Sequence, residues 1–264
     1  MEIPLFPLHV VLTPGAPLPL HVFEPRYRAL VADCLAAGEP FGVVCLSAGR
    51  EVGAGRVAFA AVGTLAEIRE VTRYPDGRSD IMTIGTARFR LTGVDGTRKP
   101  YLVGTGEMLP EVLGDPERVG PLAERVRRRF VRYLELLQPD GDGEDGVEGA
   151  GEGPTREGPG ESPADEGPAA VPATPDGRPD ASPRERLAEV AARLAPPGDA
   201  ITLGHVVSGL VQAELPRRQE LLEATSTEER LARLDELLAR EISLLARRLA
   251  PYAPDPRLAP LRRN

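Results

Sequence analysis

Residues 3–15 read IPLFPLHVVLTPG, and residues 18–28 read LPLHVFEPRYR. Short apolar runs interrupted by proline are typical of first or edge strands, because proline cannot donate a ladder hydrogen bond. Pro14-Gly15 predicts a turn between two such strands. Pro25 predicts the start of a helix, because the first helical residue needs no N–H group. This stretch therefore predicts a strand, a turn, a second strand and a helix.

Strands dominate the chain as far as residue 113. Residues 41–46 (FGVVCL) predict a short buried strand, and Gly63 predicts a bulge or bend in a longer strand. Asp76-Gly77 predicts a hairpin turn, because glycine supplies the positive φ that tight turns need. Residues 88–92 alternate polar and apolar, as a half-exposed strand does. Many short strands around one helix predict a small closed or nearly closed barrel over residues 1–113.

Helices dominate the rest of the chain. Asp115-Pro116 predicts the start of a long linking helix over residues 114–138, where apolar residues recur every three or four positions. We expect a helical bundle over residues 184–254 and a disordered tail over residues 255–264. In the last helix, Ser226 and Glu229 form a predicted capping box ahead of a leucine stripe. The fold class is therefore α+β, a β-barrel with one helix followed by a helical bundle.

Acidic residues are concentrated in one segment, residues 139–183, which is called the acidic tract below. The whole chain has a net charge of −8, yet this tract holds twelve Asp or Glu against two Arg, a balance of −10, which leaves +2 for the remainder. Its glycines, prolines and acids show no apolar periodicity, so we expect a disordered insertion. Such a tract serves as a solvated spacer or binds a basic partner.

The residues that carry chemistry argue against several enzyme classes. Lys99 is the single lysine, and it lies between Arg98 and Pro100 rather than in a glycine-rich phosphate loop. Cys34 and Cys45 are too few for a disulfide framework, and no paired metal-ligand spacing accompanies the three histidines. We therefore expect no enzyme: no catalytic residue, no cofactor and no metal. Apolar runs far shorter than roughly 18 residues predict a cytoplasmic protein without a membrane segment.

Several motifs resemble those of one protein family. The two opening strings, residues 62–68 (VGTLAEI) and residues 85–91 (GTARFRL) resemble the N-terminal substrate-binding domain of Lon proteases, and residues 215–223 (LPRRQELLE) resemble its helical half. The resemblance implies a PUA-like barrel, a helical bundle and recognition of polypeptides without chemistry. It does not extend into an ATPase or a peptidase, so we expect a stand-alone Lon-domain protein.

The first functional hypothesis is a non-catalytic protein-binding module. It would bind polypeptide substrates or a protein partner on exposed apolar surface. The candidate contact residues are Pro17, Leu18, Phe23 and Tyr27. Phe23 and Tyr27 also fit an alternative role in the core, as large aromatic residues often do.

Two other hypotheses compete with it. The alternative is RNA binding through the PUA-like barrel and an arginine-rich helix, and a continuous basic stripe from Arg88 and Arg90 to that helix would favour it. The helix contributes Arg125, Arg127, Arg128, Arg129 and Arg132. With the folded parts close to neutral, we do not expect nucleic acid as the main partner. An ATP-independent hydrolase would need a nucleophile and a base within hydrogen-bond reach in a pocket.

Overall fold

A computed structural model describes residues 1–46, 59–137 and 198–249. Within these ranges six strands form one mixed sheet and five helices accompany it, so the fold class is α+β as predicted. The predicted disordered acidic tract, the first part of the predicted helical bundle and the predicted tail lie outside the described residues.

The sheet closes on itself through its longest strand. The strands are β1 (Glu2–Leu8), β2 (Pro17–Val22), β3 (Phe41–Cys45), β4 (Val62–Arg73), β5 (Ser79–Asp95) and β6 (Leu102–Met108). β1 and β3 are parallel, and the other pairs are antiparallel. β5 pairs with β2 through its first half and with β6 through its second. Because β6 also pairs with β1, the hydrogen bonds follow a closed circuit β5–β4–β3–β1–β6.

β2 lies outside that circuit and pairs only with β5 in the described sheet. It carries Pro17 and Pro19, neither of which has an N–H group to donate. Leu18 and Leu20, which alternate with the prolines, are half-buried and pack against the core, whereas both prolines are exposed. The edge strand predicted from the prolines of this segment is therefore present.

The turns and the first helix form where the local sequence predicts them. Gly15 and Gly77 adopt φ values of 80° and 83°, which side chains with a Cβ rarely adopt. Helix α1 (Pro25–Ala37) starts at a proline and ends at Gly38, whose φ of 67° turns the chain so that the N–H of Glu39 donates to the Cys34 carbonyl at 3.1 Å. These local signals were sufficient because each acts within four residues.

Gly63 allows a close contact between strands of the sheet rather than forming the bulge itself. A Cβ at this position would lie 2.6 Å from the Val43 carbonyl oxygen and 2.7 Å from Cζ of Phe89. The register of β4 against β5 shifts just beyond it, between Thr64 and Ala66. The predicted irregularity is therefore displaced by one to three residues, and the glycine itself admits the Phe89 ring, which is fully buried.

Four helices of the second half share one apolar core. They are α2 (Pro116–Leu137), α3 (Ala200–Leu210), α4 (Leu215–Glu223) and α5 (Thr227–Leu249). Leu231, Leu234 and Leu238 of the predicted leucine stripe are fully buried and pack against α2 and α3. The helices cover one another because each has an apolar face that must leave water.

The predicted capping box at the start of α5 forms only in part. The Glu229 N–H donates to Ser226 Oγ at 3.1 Å, as predicted. The Glu229 carboxylate, however, accepts from the N–H and the hydroxyl of Thr225, at 2.7 and 2.6 Å, rather than from the Ser226 N–H. The helix start is still closed by three hydrogen bonds, but the residue that donates to the Glu229 carboxylate is Thr225, one position before Ser226.

Both cysteines are free and buried. Cys34 packs between α1 and the sheet, and burial raises the pKa of its thiol to about 11. A thiol that stays protonated is a poor nucleophile, so Cys34 is a core residue as its position on the apolar helix face predicts. Within the described ranges, none of the helices has the length and hydropathy that crossing a bilayer requires.

Candidate functional site

An apolar groove of about 410 Å³ opens beside β1, β2 and the start of α1. Its walls come from segments that are far apart in the sequence, and its apolar lining residues are Phe6, Pro7, Leu8, Leu20, Phe23, Tyr27, Leu46, Phe59 and Leu102. We call this the apolar groove. Concave apolar surface with a few polar side chains at the rim is the usual form of a binding site.

Three of the four Phe and Tyr rings that line the apolar groove, those of Phe6, Tyr27 and Phe23, define its shape near α1. Phe6 and Tyr27 stack with centroids 4.1 Å apart and planes 12° apart, and Phe6 also contacts Phe41 in the core behind them. This stack is rigid because Tyr27 is only 9% exposed and sits on α1. Phe23 precedes α1 and is 59% exposed, the largest exposure of any aromatic side chain in the described ranges. The groove thus combines a fixed aromatic wall with one solvent-facing ring.

The rim of the apolar groove is polar and nearly balanced in charge. Arg26 donates to Glu24 at 2.8 Å and places its guanidinium 4.5 Å from the centre of the Tyr27 ring. His21 lies against Phe23, with ring centroids 6.0 Å apart, and its Nδ1 is 2.5 Å from Asp80. The hydrogen bonds from Tyr74 and then His21 lower the pKa of Asp80 below its usual range. This pairing fixes the imidazole beside the exposed ring.

The structure brings two of the four predicted contact residues into this groove. Phe23 and Tyr27 line it, Tyr27 as a buried wall and Phe23 as an exposed ring. Leu18 packs half-buried against the core, and Pro17 is exposed on the edge of β2, so neither lines the groove. Phe6 and Leu8 of β1 also line the groove but were not predicted, although the opening string that contains them directly precedes the string that contains Phe23.

A second cluster of side chains joins the two halves of the molecule. Arg88 on β5 donates from Nε to Glu111 at 2.7 Å and from Nη1 to the Leu222 and Ala224 carbonyls, both at 2.7 Å. Glu111 also lies 3.3 Å from Arg230 Nη1 and 3.1 Å from His205 Nε2. We call Arg88, Glu111, His205 and Arg230 the junction cluster; it ties the sheet to α3, α4 and α5.

Burial and the neighbouring charges together set the protonation states of the junction cluster. Arg88, His205 and Arg230 are at most 4% exposed. Burial raises the pKa of Glu111, but the His205 hydrogen bond and the charges of Arg230 and Arg88 outweigh it and hold the pKa at about 2. Burial lowers the pKa of His205, and the two arginines lower it further against the pull of Glu111. The cluster is therefore two arginines, one carboxylate and a neutral imidazole, a structural arrangement rather than a substrate site.

The basic stripe on which the RNA hypothesis depends is interrupted. Arg88 is 2% exposed and committed to the junction cluster, so it cannot join Arg90 on the surface. Residues 88–92 were expected to form a half-exposed strand. Both faces of that strand are buried at this point, since Phe89 is fully buried as well. On α2, Arg125 and Arg129 both meet Asp235 of α5. The stripe that would have favoured RNA binding is not continuous in the described part of the chain, because long-range partners, which the strand pattern does not reveal, cover Arg88.

The comparison with protein families now accounts for this architecture. The sequence profile described as "ATP-dependent protease La (LON) substrate-binding domain" matches residues 2–240. The chain belongs to the Lon substrate-binding-domain family. This identification agrees with the motifs of the opening strings, which supply β1, β2 and much of the apolar groove.

Lon proteases are the curated relatives of this Lon-domain chain. Lon protease 1 of Thermus thermophilus is 31% identical over 137 residues, 51% of this chain and 17% of that protease. The Lon protease of Phenylobacterium zucineum is 23% identical over 244 residues, 90% of this chain and 24% of that protease. The chain thus spans less than a quarter of the length of these relatives, and the family match covers the substrate-binding domain and not the protease domain.

Solved structures of Lon N-terminal domains share the fold. The Lon N-terminal domain protein from Xanthomonas campestris is 24% identical, with a TM-score of 0.50 over 90% of this chain and 98% of that one. The N-terminal domain of the Mycobacterium avium complex Lon protease is 15% identical, with a TM-score of 0.56 over 92% and 98%. These likenesses support the α+β Lon N-terminal fold.

Proposed function

We propose that this Lon-domain protein is a non-catalytic module that binds polypeptides through the apolar groove. The observation that carries the proposal is Phe23, a 59% exposed ring beside the stacked pair of Phe6 and Tyr27. An exposed aromatic next to a rigid apolar wall gives an incoming side chain a large buried area at little entropic cost. The family's substrate-binding role supports a polypeptide as the ligand.

We also propose how the chain is divided into folded units. We assign residues 1–113 to a PUA-like barrel, residues 114–138 to a linking helix and residues 184–254 to a helical bundle. The closed strand circuit and the shared helical core support the two folded units. Two free, buried thiols suit a reducing compartment, so we place the protein in the cytoplasm.

The direct test is binding of an unfolded model polypeptide, fluorescently labelled casein, measured by anisotropy. We expect Phe23→Ala to weaken binding about five-fold or more, since truncating a central aromatic costs at least ~1 kcal/mol. Leu244→Ala is the matched control, because Leu244 is another exposed apolar side chain (43%) but lies on α5. Thermal unfolding of each variant establishes that the fold is intact.

Three results would refute the proposal. Equal casein affinity of the wild type and Phe23→Ala would remove the apolar groove from the interaction. Loss of binding in Leu244→Ala alone would move the site to the helices. Cleavage of the casein, followed by mass spectrometry and abolished by a serine-to-alanine scan, would establish the hydrolase alternative instead.

A further inference from the structure

A basic groove of about 430 Å³ runs between α2 and α5, away from the apolar groove. Arg125, Arg128, Arg129 and Arg132 of α2 form one side, and Ala239 and Ile242 of α5 form the other. We call this the arginine groove. Spacings of three and four residues place these guanidiniums on one helix face.

Acidic neighbours neutralise the arginine groove only in part. Asp235 lies 3.4 Å from Arg125 and 2.8 Å from Arg129, and Glu135 lies 3.0 Å from Arg132. Arg128 is exposed and forms no ion pair with any residue that the structure describes. Four guanidiniums against two carboxylates leave a local charge of +2, which attracts an anion.

The same chain carries a strongly anionic segment that follows α2 closely in the sequence. Helix α2 ends at Leu137, and the acidic tract with its balance of −10 follows at residue 139. Arg132 is five residues from the end of α2, about 8 Å along the helix axis. A tract of 45 residues spans up to roughly 150 Å when extended, so it reaches every arginine of the groove. Covalent attachment gives it a millimolar effective concentration.

We propose that the acidic tract of the same chain binds the arginine groove. Carboxylates of Asp and Glu pair with the guanidiniums, and Arg128 is the first partner because it has no competing carboxylate among the described residues. The tract has no apolar periodicity, so charge alone drives the contact and salt weakens it. The proposal is independent of what the apolar groove binds.

The test places a second lysine in the chain, which has Lys99 as its one natural lysine. Carbodiimide joins a lysine amine to a carboxylate that it touches, and wild-type Lys99, 3.0 Å from Asp33, serves as the internal standard. We expect Arg128→Lys to form links from residue 128 to carboxylates of residues 139–183, identified by mass spectrometry. These links should be about five-fold more abundant than links to the tract from Arg90→Lys, an exposed position on β5. About 0.5 M NaCl should remove most of them, because the Debye length then falls well below 10 Å.

Other outcomes would overturn the proposal. Equal linking of the tract from positions 128 and 90 would mean that the tract has no preference for the arginine groove. Links between differently isotope-labelled chains in a mixture would show a second copy as the occupant. Salt-sensitive binding of a labelled single-stranded RNA, lost in Arg128→Glu but retained in Arg90→Glu, would assign the groove to nucleic acid.

Discussion

At the scale of single residues, the charge of one carboxylate decides the state of the junction cluster. Glu111 accepts from Arg88 and Arg230 and lies 3.1 Å from Nε2 of His205, and its position between β6 and α2 lets it meet all three. A buried histidine flanked by two arginines stays neutral, because a third positive charge would lack a second carboxylate. The carboxylate of Asp199 caps α3, and the hydrogen bonds from Thr202, with a smaller effect of His205, lower its pKa.

This neutral histidine makes stability depend on pH in a defined direction. The pKa of His205 is lowered in the folded state, so the unfolded chain takes up the proton first and stability falls as the pH drops below about 6.5. We expect the free energy of unfolding in urea to fall between pH 7 and pH 5. The contribution of one proton is at most about 1.4 kcal/mol per pH unit. Glu111 does not contribute in that window, because it titrates near pH 2 when folded and its usual value is 4.5.

Two histidine variants show how much of this pH dependence comes from His205. His205→Gln should flatten the slope between pH 7 and pH 5, whereas His9→Gln, at an exposed position, should leave it unchanged. A wild-type slope that persists in His205→Gln would contradict the assignment of a neutral, buried imidazole.

At the scale of elements, β5 organises the sheet because its seventeen residues serve three neighbours. Phe89 of β5 is fully buried, and its ring lies against the positions of Gly42 and Gly63. The strands pack closely here because these two positions lack a Cβ. The large Phe89 side chain of β5 is thus accommodated by the two glycines opposite it, Gly42 on β3 and Gly63 on β4.

Adding one methyl group should therefore change the stability of the protein differently at two glycines of the sheet. Gly63→Ala places a Cβ within 2.6 Å of a backbone oxygen that cannot move away, and we expect a loss of about 1–3 kcal/mol in urea unfolding. Gly93→Ala is the matched control in β5, since its Cβ would meet nothing nearer than 3.9 Å. Similar unfolding midpoints for the two variants would contradict the close-contact account of Gly63.

The elements were predictable where their signals are local. Pro25, Gly38 and Asp76-Gly77 each fix the backbone within one turn, so the first helix and the long hairpin follow from the sequence. The apolar groove was less predictable, because Phe6, Leu46 and Leu102 meet only after the sheet has closed. The burial of Arg88 was not predictable at all, since two of its acceptors, the Leu222 and Ala224 carbonyls, lie more than 130 residues away.

At the scale of the whole molecule, polar contacts as well as apolar ones join the sheet to the helices. Gln219 of α4 donates to the Val62 carbonyl at 3.0 Å, and Leu222 packs beside Val11 and Val62. The junction cluster lies beside these contacts. A change in the cluster therefore affects the sheet and the helices together.

Removing the central carboxylate tests this connection. Glu111→Gln leaves two buried guanidiniums without a counter-charge, and we expect a loss of about 3 kcal/mol in unfolding free energy. Circular dichroism at 222 nm follows the helices, and tyrosine fluorescence follows chiefly the sheet half, which contains Tyr27, Tyr74 and Tyr101. Both transitions should shift to lower urea together.

The control for this variant is an exposed carboxylate. Glu24→Gln breaks a surface ion pair with Arg26 and should cost at most about 1 kcal/mol. A shift of only one of the two signals in Glu111→Gln would mean that the sheet and helices are not coupled through the cluster.

The prolines of β2 have a consequence for strand addition at this edge of the sheet. Pro17 and Pro19 remove two N–H donors from the strand that ends the sheet. An extended polypeptide arriving there finds too few donors to add itself as a further strand, so sheet growth from molecule to molecule is blocked. The proline-bearing edge therefore disfavours strand pairing between two copies of the chain, which is the kind of contact from which fibrils grow.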